Sequence, residues 1–478
     1  MGAQQGGGER EAFDHHGGTV QRGITVVPRS SSDEGRFGRL FRTLAPFAPP
    51  DTQLSALAAS MAPPPSPAGA AADPAGDNPD IPAGYTYVGQ FVDHDITFDP
   101  ASALERLNDP DALSNFRTPR FDLDCIYGGG RKQAPFLYDE DDPVKLLIGA
   151  NTATIHDPVD LPRNRQGRAL IGDPRNDVNV IVSQLHLAFL KFHNAVVDHL
   201  RARFFPDAEI EDEARRLTCW HYQWVVVNDF LRRLVGPDIL DELLVRDKRT
   251  KGLKTDLRFY SWRKKPFMPV EFSGAAYRFG HSMIRAAYKL NDQVPEEVPM
   301  FSPALTPNPL QHLGGFRPLP RKWTLDWSRF FVISGSQPQL SRKIDTRFSA
   351  PLHKLPADID AQRRSLALLN LLRGRALQLP SGQAVATAMG TSRPNSELRL
   401  PPGDTPLYFY LLREAEVVGG GLRLGPTGGR IVAEVLLGLL KGDPSSFLRQ
   451  APTWKPELPS AKAGDFTMAD VLKLAGVA

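Results

Sequence analysis

Ile181, Leu185, Phe189, Phe192, Val196, Leu200 and Phe204 follow one another at spacings of 4, 4, 3, 4, 4 and 4 residues. This spacing predicts one face of a helix of about seven turns, stopped by Pro206. Val182, Leu187, Leu190 and Val197 lie off that stripe, so the helix is expected to be buried on several sides. Such a helix needs other elements packed around it, and the chain supplies helical periodicity for them. A second helix is predicted from about Ile210 to Val235, ended by Gly236-Pro237. A third follows Pro266 and Pro269 and runs to about Leu290, and a fourth covers about Asp360 to Arg375, before Pro380. Two more are predicted near 405–415 and 426–442. Strand-like alternation is scarce and short. The predicted fold is therefore mainly α, with long irregular connections supplied by 40 Gly and 43 Pro.

Composition narrows the function classes. Of 478 residues, 41% are hydrophobic and 23% charged, a balance that excludes wholesale disorder. The net charge of +3 makes no electrostatic case for nucleic acid as a partner. Cys125 and Cys219 are the only cysteines, so there is no disulfide framework and no multi-cysteine zinc site. No uninterrupted apolar run reaches the ~18 residues of a membrane span. The longest, Ile431 to Leu440, contains Glu434. The N-terminus is polar and Gly-rich without an apolar signal core, so the expectation is a cytoplasmic protein. Residues 1–45 are expected to form a flexible arm and the Pro/Ala-rich residues 46–83 a wrapping segment with a short helix at Leu54 to Met61. Residues 84–478 are expected to form one large helical domain.

Five short constellations carry the chemistry. In Gly89-Gln90-Phe91-Val92-Asp93-His94-Asp95, helical geometry puts Gln90 one turn before His94 on the same face. A histidine so placed can accept a proton from a small polar ligand. Thr118, the Arg120 carbonyl, Asp122 and Asp124 form an oxygen-only set suited to a hard cation such as calcium, with Asp95 as a further ligand. Arg175, in Gly172-Asp173-Pro174-Arg175-Asn176-Asp177 just before the long helix, could aim a fixed cation at a bound anion or peroxide. His281 follows Arg278 by three and shares its face, so it could ligate a metal cofactor whose acidic groups the arginine binds. Asn370 and Arg373 are again three apart, and the Asn370 amide could take the free ring N–H of a ligating histidine. Each has a plainer reading: a polar turn, a solvated acidic turn, a surface ion pair or a core histidine. His186 and His193, seven apart on the long helix without ligand-spaced carboxylates, are given structural roles, and His15 and His16 none.

Taken in order, GQFVDHD, TPRFDLDCIYG, DPRND before a helix containing FHN, YRFGH and LNLLRGR resemble the animal-type haem peroxidase superfamily, which includes prostaglandin synthases and fatty-acid dioxygenases. The resemblance covers roughly residues 80–440. It implies a single, mostly helical domain around a buried b-type haem, reducing hydrogen peroxide and oxidising small organic donors or halides. Carried over motif by motif, it makes Gln90, His94 and Arg175 the distal residues, His281 the iron ligand and Asn370 its hydrogen-bond partner. Arg278 and Arg373 match residues near the haem propionates. Asp95, Thr118, Arg120, Asp122 and Asp124 match calcium ligands, Asp124 standing where many members have Ser. Asp93 matches one ester-forming carboxylate of the mammalian members. Where they have a Glu ester and a sulfonium-forming Met, this chain has Val178 and Asn179, leaving at most one ester link, through Asp93. The radical-bearing Tyr of the fatty-acid oxygenases falls at Arg278, with Tyr277 one residue away, which argues against that branch. Two rivals remain: a haem fatty-acid dioxygenase or peroxygenase, and a non-catalytic haem- and calcium-stabilised binding module.

Overall fold

The computed structural model describes residues 35–63, 74–97, 114–115, 119–152, 155–156, 159–262, 265–302, 308–355 and 364–478. It is about 47% helical with little strand, as expected. The principal helices are α1 (Asp51–Ser60), α2 (Gly84–Ile96), α3 (Val180–Ala202), α4 (Ile210–Val225), α5 (Arg232–Leu243), α6 (Leu366–Ala376), α7 (Gly382–Met389), α8 (Leu407–Gly419) and α9 (Pro426–Gly442).

The long apolar stripe is α3, which at 1.5 Å per residue spans about 34 Å. Asn179 caps it, its side chain accepting from the Val182 N–H at 2.9 Å. Val182, Leu187, Leu190 and Val197 are buried along with the predicted stripe. Phe204 is the exception at 95% exposed, because the helix has ended and the chain turns through a left-handed Phe204 (φ 57°) ahead of Pro206. By length and composition α3 could cross a membrane, but 83% of its most apolar window is buried against the rest of the protein.

Two predicted helices are built differently. The second continues from α4 through a π-helical turn, Val226–Leu231, into α5, and bends at Gly236 (φ 80°, ψ 164°), where Pro237 restarts it. The third is not a long helix. It is one short turn, Val270–Gly274, followed by a 3₁₀ segment, Ala276–His281, after which the chain is irregular. The fourth is α6; its expected start, Asp360, lies outside the described residues.

Part of the expected flexible arm is docked. Gly35–Gly38 pairs in parallel with Met268–Pro269, and the Leu40 and Phe41 N–H groups donate to the buried Glu271 carboxylate. In the wrapping segment, Asp77–Pro82 pairs antiparallel with Leu340–Arg342.

Aromatic packing joins α2 to α3. Phe91 stacks on Phe189 with centroids 4.7 Å apart, and the Tyr222 ring of α4 meets both edge-on. Phe189→Ala removes one layer of this stack from a fully packed core and should cost about 3–5 kcal/mol. The expected lowering of the denaturation midpoint can be read by circular dichroism.

Candidate active site

A cavity of about 270 Å³ lies between α2 and the 3₁₀ segment Ala276–His281. Gln90, Asp93 and His94 line one side, while Tyr277, Arg278 and His281 come from the other segment. Phe230 from the π-helical turn, Val178 and Asn179 from the entry to α3, and Met300 complete much of the wall. Residues distant in sequence, His94 and His281, thus share one enclosure, as the two-histidine reading requires.

His94 is buried on α2, and its Nδ1 lies 2.8 Å from Oδ1 of Asn176. Burial lowers its pKa to about 4, and the positive charge of Arg175 adds to the effect. The imidazole is therefore neutral at physiological pH and able to accept a proton. Gln90 is held by Asn179, whose Nδ2 donates to Oε1 at 3.0 Å. The residue that caps α3 also orients Gln90.

His281 is likewise neutral, its pKa lowered to about 3 by burial and by the charges of Arg278 and Arg373. Arg278 keeps the expected relation to it, since residues i and i+3 eclipse on a 3₁₀ turn. Asn370 of α6 lies 2.9 Å from His281 Nδ1 and 3.2 Å from the Tyr408 hydroxyl of α8. The amide nitrogen faces Nδ1 here. Turning the amide over exchanges nitrogen and oxygen, and then Nδ1–H donates to Oδ1 and leaves Nε2 as the ligating atom.

Arg175 departs from the expectation. It is not among the residues lining the cavity. Its guanidinium pairs with the buried Asp173 carboxylate at 2.7 Å and donates to the backbone carbonyls of His94 and Thr97. A cation at the C-terminus of α2 satisfies carbonyls that the helix leaves open and complements its dipole. Neighbouring Asp177 is fixed by the buried Arg163, which grips it with two nitrogens at 2.7 and 2.8 Å and also pairs with Asp160. The turn bearing Arg175 and Asn176 is thus clamped at both ends. Gly315 lies so close that an added Cβ would sit 1.8 Å from the Asp177 carbonyl.

Of the expected calcium ligands, Thr118 lies outside the described residues. Asp95 is fully buried and Oδ2 accepts from the Leu123 N–H at 3.4 Å. Asp122 accepts from the Asp124 N–H, and Asp124 from the Gly129 N–H. The loop is tied to α4, where Gln223 donates to the Phe121 carbonyl and the Cys219 thiol to that of Asp122. Burial and the adjacent Asp124 push the Asp122 carboxyl up to about 7. Among the described residues, no three His, Cys, Asp or Glu side chains converge as a metal-binding group. Any cation here would draw on main-chain oxygens as well.

The fit to haem rests on Arg278. It is half-buried, lines the cavity, and donates through Nε to the Ser273 carbonyl at 2.9 Å, with its pKa lowered by desolvation. A guanidinium in the wall of a largely apolar cavity favours an anion there, and the Asp93 carboxylate on the same wall meets part of that demand. A haem propionate supplies such an anion. Arg373 is half-buried and is not among the cavity-lining residues, though its charge reaches His281. Tyr277 does line the cavity, with its hydroxyl donating to the Gly89 carbonyl at 3.3 Å. Asn176, Asn179, His186 and Tyr408 received no functional role from the sequence. The first two stood inside or beside the DPRND motif, while the last two gave no signal apart from their burial.

Comparisons agree with this architecture. Residues 105–402 match the animal haem peroxidase family model, a span that includes Arg175, His281 and Asn370 while Gln90 and His94 precede it. The chain is 28% identical to a dual oxidase of Drosophila melanogaster over 262 residues, 52% of this chain and 15% of that protein. It is 24% identical to heme peroxidase 2 of Caenorhabditis elegans over 308 residues, 57% of this chain and 39% of that protein. These matches span well under half the length of either relative. Peroxidase A from Dictyostelium discoideum has the same fold, with a TM-score of 0.59 at 14% identity, covering 92% of this chain and 93% of that one. A fatty acid alpha-dioxygenase of Oryza sativa, its structure holding palmitic acid, matches with a TM-score of 0.55 at 17% identity, covering 84% of this chain and 74% of that one. The match over more than half of its length places the chain in the animal haem peroxidase family, which implies a haem cofactor.

The placement of Arg175 generates a prediction about stability. Arg175→Ala leaves the buried Asp173 carboxylate without its guanidinium and uncaps α2. It should cost about 2–3 kcal/mol, below the usual figure for a broken buried pair because the arginine is partly exposed. Urea unfolding of the variant against the parent checks this.

Proposed function

We propose that this protein is a haem peroxidase that reduces hydrogen peroxide and oxidises a small organic donor or a halide. The observation that carries the reading is one cavity lined by two neutral histidines, His94 buried and His281 half-buried, the latter backed by an asparagine. His281 would hold the iron of a b-type haem, Asn370 would fix its ring, and Arg278 would meet a propionate. Asp93 lines the cavity and is the one residue of the expected ester pair that retains a carboxylate, Val178 replacing the other. The haem, when bound, supplies the redox chemistry by which peroxide is reduced and a donor oxidised.

The chain's own residues manage protons and water. With peroxide bound in the cavity, His94 would accept a proton from one of its oxygens and give it up to the other, a task for which it must be neutral at working pH. Gln90, anchored by Asn179, offers its amide to the same small ligand. Tyr85, Phe230, Met300 and Ile284 keep the enclosure largely apolar, which strengthens each polar contact inside it. Arg175 contributes by holding the end of α2, and with it the position of His94, through two carbonyls.

Lipid oxygenation is a second reading, favoured by Tyr277 on the cavity wall. Oxygen uptake with palmitate, absent from the peroxidase assay, distinguishes the two.

Calcium is the second proposed cofactor. Asp95, Asp122 and Asp124, the Arg120 carbonyl and Thr118 would ligate it, offsetting the burial and the Asp124 repulsion that raise the Asp122 carboxyl. Asp95 adjoins His94, so removing calcium should disturb the distal side first. Elemental analysis before and after chelator dialysis, with the absorbance spectrum followed in parallel, tests this. Freshly purified active protein without calcium contradicts it.

Proton transfer by a positioned side chain is typically worth about 10²–10⁴ in rate. His94→Ala should retain bound haem but react with peroxide at least about 10²-fold more slowly in stopped-flow mixing. A haem-loaded variant reacting at the parent rate overturns the peroxidase reading.

A further inference from the structure

A neutral imidazole can accept a proton at Nε2 only if its single ring proton sits on Nδ1. In water the two tautomers interconvert freely, so a protein that needs one of them must select it. The Asn176 amide touches His94 Nδ1 through Oδ1 at 2.8 Å. That oxygen can only accept, so Nδ1 must be the protonated nitrogen.

The other end of the same amide meets a second buried histidine. Asn176 Nδ2 lies 3.0 Å from Nδ1 of His186, nearly two turns into α3. An amide nitrogen can only donate, so His186 Nδ1 must be the unprotonated nitrogen of its ring. The three groups form one directed chain, from His94 Nδ1–H to the Asn176 oxygen and from the Asn176 N–H to His186 Nδ1. Turning the amide over reverses both bonds and leaves His94 with its proton on Nε2, unable to accept from a ligand. The backbone of the turn carrying Asn176 is clamped by Asp173 with Arg175 and by Asp177 with Arg163, which keeps the amide between the two histidines.

We infer that Asn176 is a positioning residue that selects the proton-accepting tautomer of His94, and that His186 holds the Asn176 amide in the orientation required. The role in catalysis rests on the peroxidase reading, but the tautomer itself does not. The arrangement gives a function to a buried histidine of α3 that is not itself among the residues lining the cavity. Selecting the wrong tautomer in a comparable hydrogen-bonded histidine lowers turnover by about 10⁴.

Nitrogen NMR of the full-length chain labelled with ¹⁵N-histidine tests this directly. The His94 resonances are assigned by their loss in His94→Gln. The expected parent spectrum has a protonated, pyrrole-type Nδ1 and an unprotonated, pyridine-type Nε2 on His94. Asn176→Asp keeps an acceptor and should preserve that pattern, whereas Asn176→Leu should shift His94 towards the Nε2–H form. After haem loading, Asn176→Leu should react with peroxide about 10²–10⁴-fold more slowly, while Asn176→Asp stays near the parent rate. A parent His94 protonated on Nε2 overturns the inference without any variant, as does an Asn176→Leu protein with unchanged tautomer. The expected tautomer in a haem-loaded protein that ignores peroxide supports the inference and refutes the peroxidase reading instead.

Discussion

The contact on which the site depends is the flat stacking of Phe91 on Phe189, 4.7 Å between centroids. Phe91 stands between Gln90 and His94 on α2, and Phe189 stands one turn beyond His186 on α3. Fixing that pair fixes the distance between the two helices and so brings the DPRND turn at the head of α3 against the end of α2. From this follow the Arg175 bonds to the His94 and Thr97 carbonyls, the Asn176 bond to His94, and the Asn179 bond to Gln90. The cavity wall is a consequence of helix packing, with side chains at the contact chosen for both purposes.

Charge is handled with the same economy. The two cavity histidines are neutral because burial makes the charged form costly, and nearby arginines reinforce that preference. The arginines are not equivalent. Arg175 and Arg163 are paired with buried carboxylates, which fixes backbone geometry. Arg278 instead lines the cavity, with its Nε donating to the Ser273 carbonyl and the Asp93 charge nearby.

Much of this was legible in the chain itself. The 4, 4, 3, 4, 4, 4 stripe located α3 to within a few residues, because a helix buried on several sides leaves a strong apolar period. Gln90 and His94 were readable as one helix face, and Asn370 as a partner for His281. The segment around His281 carries apolar periodicity that suits a long helix and a 3₁₀ turn equally well, and the chain adopts the latter. Arg175 was read by type as a ligand-facing cation. Its actual partners include two backbone carbonyls, which leave no mark in a sequence. The same holds for Asn176 and His186, whose roles arise only when two helices meet.

The central claim is that His281 and the cavity together bind one haem through iron. Titrating ferric haem into the purified, haem-depleted chain and following the Soret band measures this most directly. The account predicts saturation at one haem per chain, with a histidine-ligated ferric spectrum that His281→Ala abolishes or converts to weak, unligated binding. Saturable binding in His281→Ala with the parent spectrum, or no saturable binding by the parent chain, would contradict it.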